Sequence, residues 1–252
     1  MKIIADLNRI EQRAKTEKVS AKYAHVSTAE LVTNLADAGV IDPESGKLWS
    51  PARGNSTYHQ ASFALGRDHI NEALIGGDRV KPTLNIFNSY NGQGALGIYL
   101  GLYRLVCSNG LVIGSGLFEA KCVHIEGPKI RGALERLTRT AVDAVSENSL
   151  TRILTAVDRL DGERCSRTDI ERILDELVLP YRTYHRALAA YERPRRRADA
   201  GDSAWLAYNR VQEVIADPKR GQAGIQDNKR LMQEFIEHFE VKQPTKLTLV
   251  SA

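Results

Sequence analysis

Four arginines stand within five residues at Arg193-Pro194-Arg195-Arg196-Arg197. Guanidinium groups at that density attract phosphate without regard to base sequence, because each is a permanent cation with a planar fork of donors. Tyr181, Tyr184, His185, Arg186 and Tyr191 lie just before them, so aromatic rings and cations share one short stretch. A solvated loop between two helices would have the same composition, and both readings stand. A second group lies at residues 88–116, NSYNGQGALGIYLGLYRLVCSNGLVIGSG. Asn88, Ser89, Asn91 and the glycines around them are suited either to offering backbone N–H groups to phosphate or to a tight polar turn. On an extended strand Tyr99 and Tyr103 share the face opposite Leu96, Ile98, Leu100 and Leu102, with Arg104 at its end. Gly97 and Gly101 leave the backbone beside the rings open, the arrangement by which sheet faces stack single-stranded bases. Equally, both rings could lie under a layer of helices.

Other chemistries find less support. There is no G-x-S-x-G, and Gly114-Ser115-Gly116 is too short for a nucleophile elbow. Gly92-Gln93-Gly94 precedes a strand pattern rather than a helix, so it does not read as a nucleotide loop, and no Walker lysine is present. Cys107, Cys122 and Cys165 are odd in number and widely spaced, which fits small buried hydrophobes better than disulfides or a metal pair. His25, His59, His69, His124, His185 and His238 show no metal-ligand spacing. Carboxylates alternate with arginines at helical spacing, as in Glu135 with Arg136 and Arg139, the pattern of a solvated face. No catalytic residue, metal ligand or cofactor is assigned, and whether the protein is an enzyme stays open.

The chain has 252 residues, 42% of them hydrophobic and 26% charged, which suits a soluble fold with a substantial core. No apolar run reaches the length of a membrane span, and MKIIADLNRIEQRAK lacks a signal core, so cytoplasmic residence is expected. A net charge of +4 permits contact with nucleic acid without demanding it.

These groups need elements to position them. A polar helix or arm is expected over 1–24, with helix near Ile3 to Thr16. Ser27-Thr28-Ala29-Glu30 reads as a capping box opening a helix that Gly39 stops. Residues 42–55 read as loop and Tyr58 to Leu65 as strand. A short helix fits Asp68 to Leu74 before a turn at Gly76-Gly77-Asp78. Val80 to Phe87 alternates, and Pro82 marks it as an edge or a strand start. Leu96 to Tyr103 alternates strictly, which favours strand over helix.

Asn109-Gly110 is a strong signal for a two-residue hairpin turn. Such a turn pairs residues whose numbers sum to 219, setting Glu119 and Lys121 against the leucines. One extra residue in the return arm restores even against even, and a bulge is expected at Gly114-Ser115-Gly116. From Lys129 the period is 3.6. Helices are expected through 161, from a capping box at Thr168-Asp169-Ile170-Glu171, over Tyr181 to Glu192, after Ser203, and over Asp227 to Glu240. The class is therefore α+β, with an antiparallel sheet and hairpin over 25–127 and a helical region over 128–252 packed on it, in one continuous domain.

The word RLVCSNGLVI, preceded by NSYNGQGAL, resembles a family of phage/plasmid-like proteins carrying a domain of unknown function. HVSTAELVTNLADAGV, ARGNSTYHQASFAL, CVHIEG and AWLAYNRVQEVI extend the likeness to about residues 25–217. The family often has a His and an acidic residue after Asn-Ser, where this chain has Tyr90 and Asn91. The resemblance implies carriage on a phage or mobile element and brings no established activity.

Two functions are weighed. One is a phage or plasmid accessory protein that binds nucleic acid through Tyr99, Tyr103, Arg104, Arg193, Arg195, Arg196, Arg197, Asn88 and Ser89, as in single-strand binding or annealing during recombination or replication, with homo-oligomers in view. The other is an effector that contacts a host protein, such as an inhibitor of a defence complex. Neither involves a membrane.

Overall fold

The protein, seen here as a computed structural model, is described over residues 2–14, 19–50, 57–70, 72–92, 94–104, 112–113, 119–126, 130, 132–215 and 221–239. The elements are α1 (Lys2–Ala14), α2 (Thr28–Asp37), β1 (Lys47–Trp49), β2 (Tyr58–Ala64), β3 (Ala73–Ile75), β4 (Asp78–Ser89), β5 (Leu96–Arg104), β6 (Val112–Ile113), β7 (Glu119–Cys122), α3 (Ala133–Ala144), α4 (Glu147–Gly162), α5 (Arg167–Glu176), α6 (Tyr181–Glu192), α7 (Ala204–Ile215) and α8 (Gly221–His238). Strands fill the N-terminal half and helices the C-terminal half, so the class is α+β.

The chain forms two compact units that share it in alternation. The first comprises residues 1–71, 82–100 and 118–149, and the second 72–81, 101–117 and 150–252. The expected division at Pro128 falls outside the described residues.

In the first unit β1, β2, β4 and β5 follow one another in the sheet, and β7 pairs with β5. β2 and β4 pair antiparallel: His59 faces Asn88, Ala61 faces Ile86 and Phe63 faces Leu84. Those six side chains are buried and point to one face. α1 contributes Ile3, Leu7 and Ile10, α2 contributes Leu31, Val32 and Leu35, and α3 contributes Leu137 and Ala141 to the buried set. The spacing of α1's three buried residues at i, i+4 and i+7 makes it an amphipathic helix packed on α2 rather than a loose arm.

β4 is not an edge. It lies between β2 and β5, and every residue from Pro82 to Ser89 is buried. Pro82 is tolerated because β4 changes partner there: β3 covers Asp78 to Val80 and β2 covers Thr83 to Ser89. The missing N–H falls in the gap between the two ladders.

The helix expected at Asp68 to Leu74 is absent; a turn leads into β3. Ala73 to Val80 is a hairpin with Gly76 at φ +54 and Gly77 at φ +82, the two positive values a type I′ turn requires.

The return arm keeps the expected parity. β7 sets Cys122 against Leu96 and Ala120 against Ile98. β6 sets Ile113 against Leu102. Pairs sum to 218 on β7 and to 215 on β6, a slip of three residues where one was expected. An odd slip lets apolar residues meet apolar ones on both stretches. The Asn109-Gly110 turn and the bulge at 114–116 lie outside the described residues.

In the second unit α7 is the central helix. Trp205 and Tyr208 are fully buried and stacked at 6.0 Å, Tyr208 meets Phe235 of α8 at 5.5 Å, and the Trp205 indole N–H donates to Asp78 Oδ2 at 3.3 Å. α5 begins two residues before its expected box: Ser166 is the cap and Asp169 its reciprocal partner. α8 begins at Gly221, ahead of the expected Asp227.

Candidate functional site

α6 is a basic helix with little to bury. Among its residues only Ala187 is buried, and small residues at 187 and 190 let it lie close to α7. Arg182 and Arg186 are exposed and lie one turn apart on the helix, and Arg193, also exposed, is the cap residue that follows it. Tyr181, which is 78% exposed, and His185 line the adjacent stripe, their rings 4.2 Å apart and edge to face. From 181 to 197 there are six arginines and one glutamate. That glutamate, Glu192, is occupied by Arg167 at 2.6 Å.

The arginine loop divides by role. Arg193 and Arg197 are exposed, and no ion pair reaches either among the described residues. Arg195 is three-quarters exposed and makes a long contact, 3.7 Å, to Glu213. Arg196 is different: it is 24% exposed and paired with Glu213 and Asp199, carboxylates that are 5% and 1% exposed. It neutralises buried charge, so its guanidinium is already engaged within the fold. Arg210 of α7 anchors the same loop from below, donating to the carbonyls of Tyr191, Gly201 and Leu206.

The candidates in the first unit are placed otherwise. Tyr99 is 6% exposed; its hydroxyl accepts from Gln60 at 2.9 Å and its ring lies against Phe87. It offers no open face for stacking, because both faces of β5 are covered here. Phe87 in turn occupies the space above Gly97, where a Cβ would lie 2.3 Å from the ring. The clearance thus serves packing and not a ligand. The side chains of Tyr103 and Arg104 lie outside the described residues. Asn88 and Ser89 are 0% and 1% exposed and cannot meet phosphate.

Asn88 instead centres a buried polar knot. Its Nδ2 donates to Val26 O at 3.2 Å and Thr28 Oγ1 at 2.9 Å, and its Oδ1 accepts from Ser89 N at 2.7 Å. These partners fix the amide's orientation. Thr28 Oγ1 lies 2.8 Å from His59 Nε2, whose Nδ1 lies 2.8 Å from Thr57 O. Since a carbonyl can only accept, Nδ1 carries the proton and Thr28 donates to Nε2. Tyr90 completes the knot. Its hydroxyl donates to Glu11 Oε1 at 2.8 Å and accepts from Thr28 N at 2.9 Å. Glu11 Oε1 also accepts from Ser27 Oγ at 2.5 Å and Ala29 N at 3.3 Å. The carboxylate at this helix N-terminus therefore comes from α1, while Ser27 still caps Glu30 N at 3.0 Å.

His124 has acceptors at both ring nitrogens, Ala24 O at 3.0 Å and Asn88 Oδ1 at 2.7 Å, and its ring stacks on Tyr23 at 5.0 Å. Burial outweighs the Ala24 carbonyl and holds His124 below the usual imidazole pKa. Burial lowers His59 to about 4. Burial alone would raise Glu11, but hydrogen bonds from His25, Ser27, Tyr90 and Ala29 outweigh it and hold the group at about 2.

The unfolded chain takes up a proton on His59 near pH 6.5, which the folded chain refuses until about 4. Its contribution is complete above pH 6.5 and is lost as the pH falls toward 4. Between pH 7.5 and 5 the first unit should lose about 2 kcal/mol of stability through this residue. Urea midpoints measured at the two pH values check this, and His59→Gln should flatten the difference. An equal slope in that variant would contradict the assignment.

The knot was legible in one respect. His59 and Asn88 are the polar residues in the otherwise apolar series His59, Ala61, Phe63 and Leu84, Ile86, Asn88, and they face each other across the ladder. Glu11, Thr28 and His124 carry no such local signal. No group of three His, Cys, Asp or Glu residues placed to hold a metal occurs among the described residues. No helix among them is long and apolar enough to cross a membrane.

Residues 15–236 match the family described as "Domain of unknown function (DUF932)", and the chain belongs to it. It is similar to the UPF0380 protein YafZ of Escherichia coli (strain K12), 26% identical over 217 residues that cover 80% of this chain and 70% of that protein. The UPF0380 protein YfjQ of the same strain is 25% identical over 217 residues, with the same coverage. No solved structure matches the chain.

Proposed function

We propose that the protein binds nucleic acid through its phosphate backbone, using the exposed face of α6 and the loop that follows. The observation that carries this reading is the set of exposed cations formed by Arg182 and Arg186 one turn apart on α6, Arg193 at its end and Arg197 beyond. An ordinary solvated helix interleaves acids with its bases; here the one acid is already paired. In this reading the protein is a cytoplasmic accessory factor of a phage or plasmid, acting in recombination or replication and able to assemble as a homo-oligomer.

Fluorescence anisotropy with a labelled oligonucleotide tests it. Four phosphate contacts to a single strand should weaken affinity about 50-fold as salt rises from about 50 to 200 mM. Binding indifferent to salt would sink the proposal.

One observation favours a protein partner instead. An open groove of about 920 Å³ runs between β7 and α3, and Val123 and Ile125 beside it are 61% and 57% exposed. Apolar residues so displayed suit a host-protein contact. In the same experiment this second reading corresponds to no oligonucleotide binding even at the lowest salt.

A further inference from the structure

We propose, on the strength of the phosphate-binding reading above, that the ligand of α6 is a single strand and that Tyr181 is the platform on which one of its bases stacks. Tyr181 opens the helix directly after Pro180 and is 78% exposed, together with Val178 the most exposed large apolar side chains among the described residues. His185, one turn on, touches the ring at 4.2 Å and 64°, which steadies the ring without covering it. Ala189, the next residue along that stripe, is exposed and small, so nothing rises beside the ring to block a flat ligand.

The cations flank this platform. Arg182 and Arg186 are one helical turn apart, a rise of about 6 Å, and both are exposed beside the ring. The bases of a single strand are free to leave one another and stack on such a ring. Bases in a duplex are already stacked and paired inside the helix, so Tyr181 has nothing to gain from them. Every base presents a π face, so this contact carries little sequence preference.

Because the ring is exposed, its removal leaves no cavity, and the fold can be checked by circular dichroism. Anisotropy is measured with oligothymidylate of about 20 nucleotides and with a duplex of equal length, at one salt concentration. Tyr181→Ala should weaken oligothymidylate binding about 10-fold and leave duplex binding unchanged, while Tyr181→Phe should keep both. If Tyr181→Ala leaves oligothymidylate binding intact, or lowers both ligands equally, the single-strand assignment falls while the phosphate reading stands. If the unaltered protein binds neither, both fall.

Discussion

Replacing Arg182, Arg186 and Arg193 together by glutamine is expected to lower oligonucleotide affinity about 100-fold at about 0.1 M salt, and to reduce the salt slope by about 2. The estimate follows from three lost phosphate contacts at roughly 0.7 in slope each on a single strand. Stability should be unchanged. All three side chains are exposed, and glutamine matches arginine in helix propensity. Arg196→Gln supplies the opposite signature: it leaves Glu213 and Asp199 buried without their cation and should lower the unfolding midpoint with little change in salt slope. If Arg196→Gln flattened the slope and the triple variant did not, the division of the arginine loop would be reversed. Isothermal binding curves at three salt concentrations, with melting curves beside them, decide between these outcomes.

Asn88→Ala is expected to cost about 3–5 kcal/mol, among the largest effects of any single substitution in the first unit. The amide serves four partners, Val26 O, Thr28 Oγ1, Ser89 N and His124 Nε2, and water does not reach the site to replace it. Each orphaned group then carries its own desolvation penalty. Asn88→Asp is a sharper probe. It keeps the acceptor for Ser89 and His124 but turns an oxygen toward Val26 O, so it should also destabilise. It should raise the His124 pKa as well, since a carboxylate would then face the ring. Urea titration measures the first effect and the histidine resonances measure the second. A loss below about 1 kcal/mol for Asn88→Ala would mean the knot contributes little beyond packing.

How far sequence alone could carry this picture depended on the range of the interactions. Local signals were dependable. Gly39 ends α2 with φ +71, Ser203 Oγ caps Leu206 N, and strict alternation from Leu96 marks β5. Readings that needed a neighbour were less so. Pro82 looked like an edge because only the change of partner from β3 to β2 makes a proline acceptable inside a sheet. Tyr99 looked outward because alternation identifies two faces but not what covers the second. Asn88 and Ser89 had the composition of a phosphate turn, yet Asn88 is held by Val26 and Thr28, 62 and 60 residues away. The arginine loop was visible as a run of charge, while its division into Arg196 and the rest required Glu213 and Asp199 to be placed. In the sequence Tyr181 stands only as a neighbour of the arginines, and its place beside Arg182 on an exposed helix face emerges once the limits of α6 are known.

The alternation of the two units along the chain has a consequence during synthesis. The polypeptide passes between them five times, at residues 71, 81, 100, 117 and 149. On a ribosome, the β2–β4 ladder and α2 emerge early, but Ala24 and Lys22 wait for His124 and Glu126 to pair with them. Asp78, made before the middle of the chain, waits for Trp205. The first unit is complete once residue 149 is made, but the second, begun at residue 72, waits for the last third of the protein, so a truncation that removes the later helices still leaves residues 72–81 and 101–117 of the second unit in the chain. A gene truncated within its last third would leave the second unit without its closing helices, so the nascent chain would expose the apolar residues of that unit, a substrate for chaperones and proteases rather than a smaller working protein.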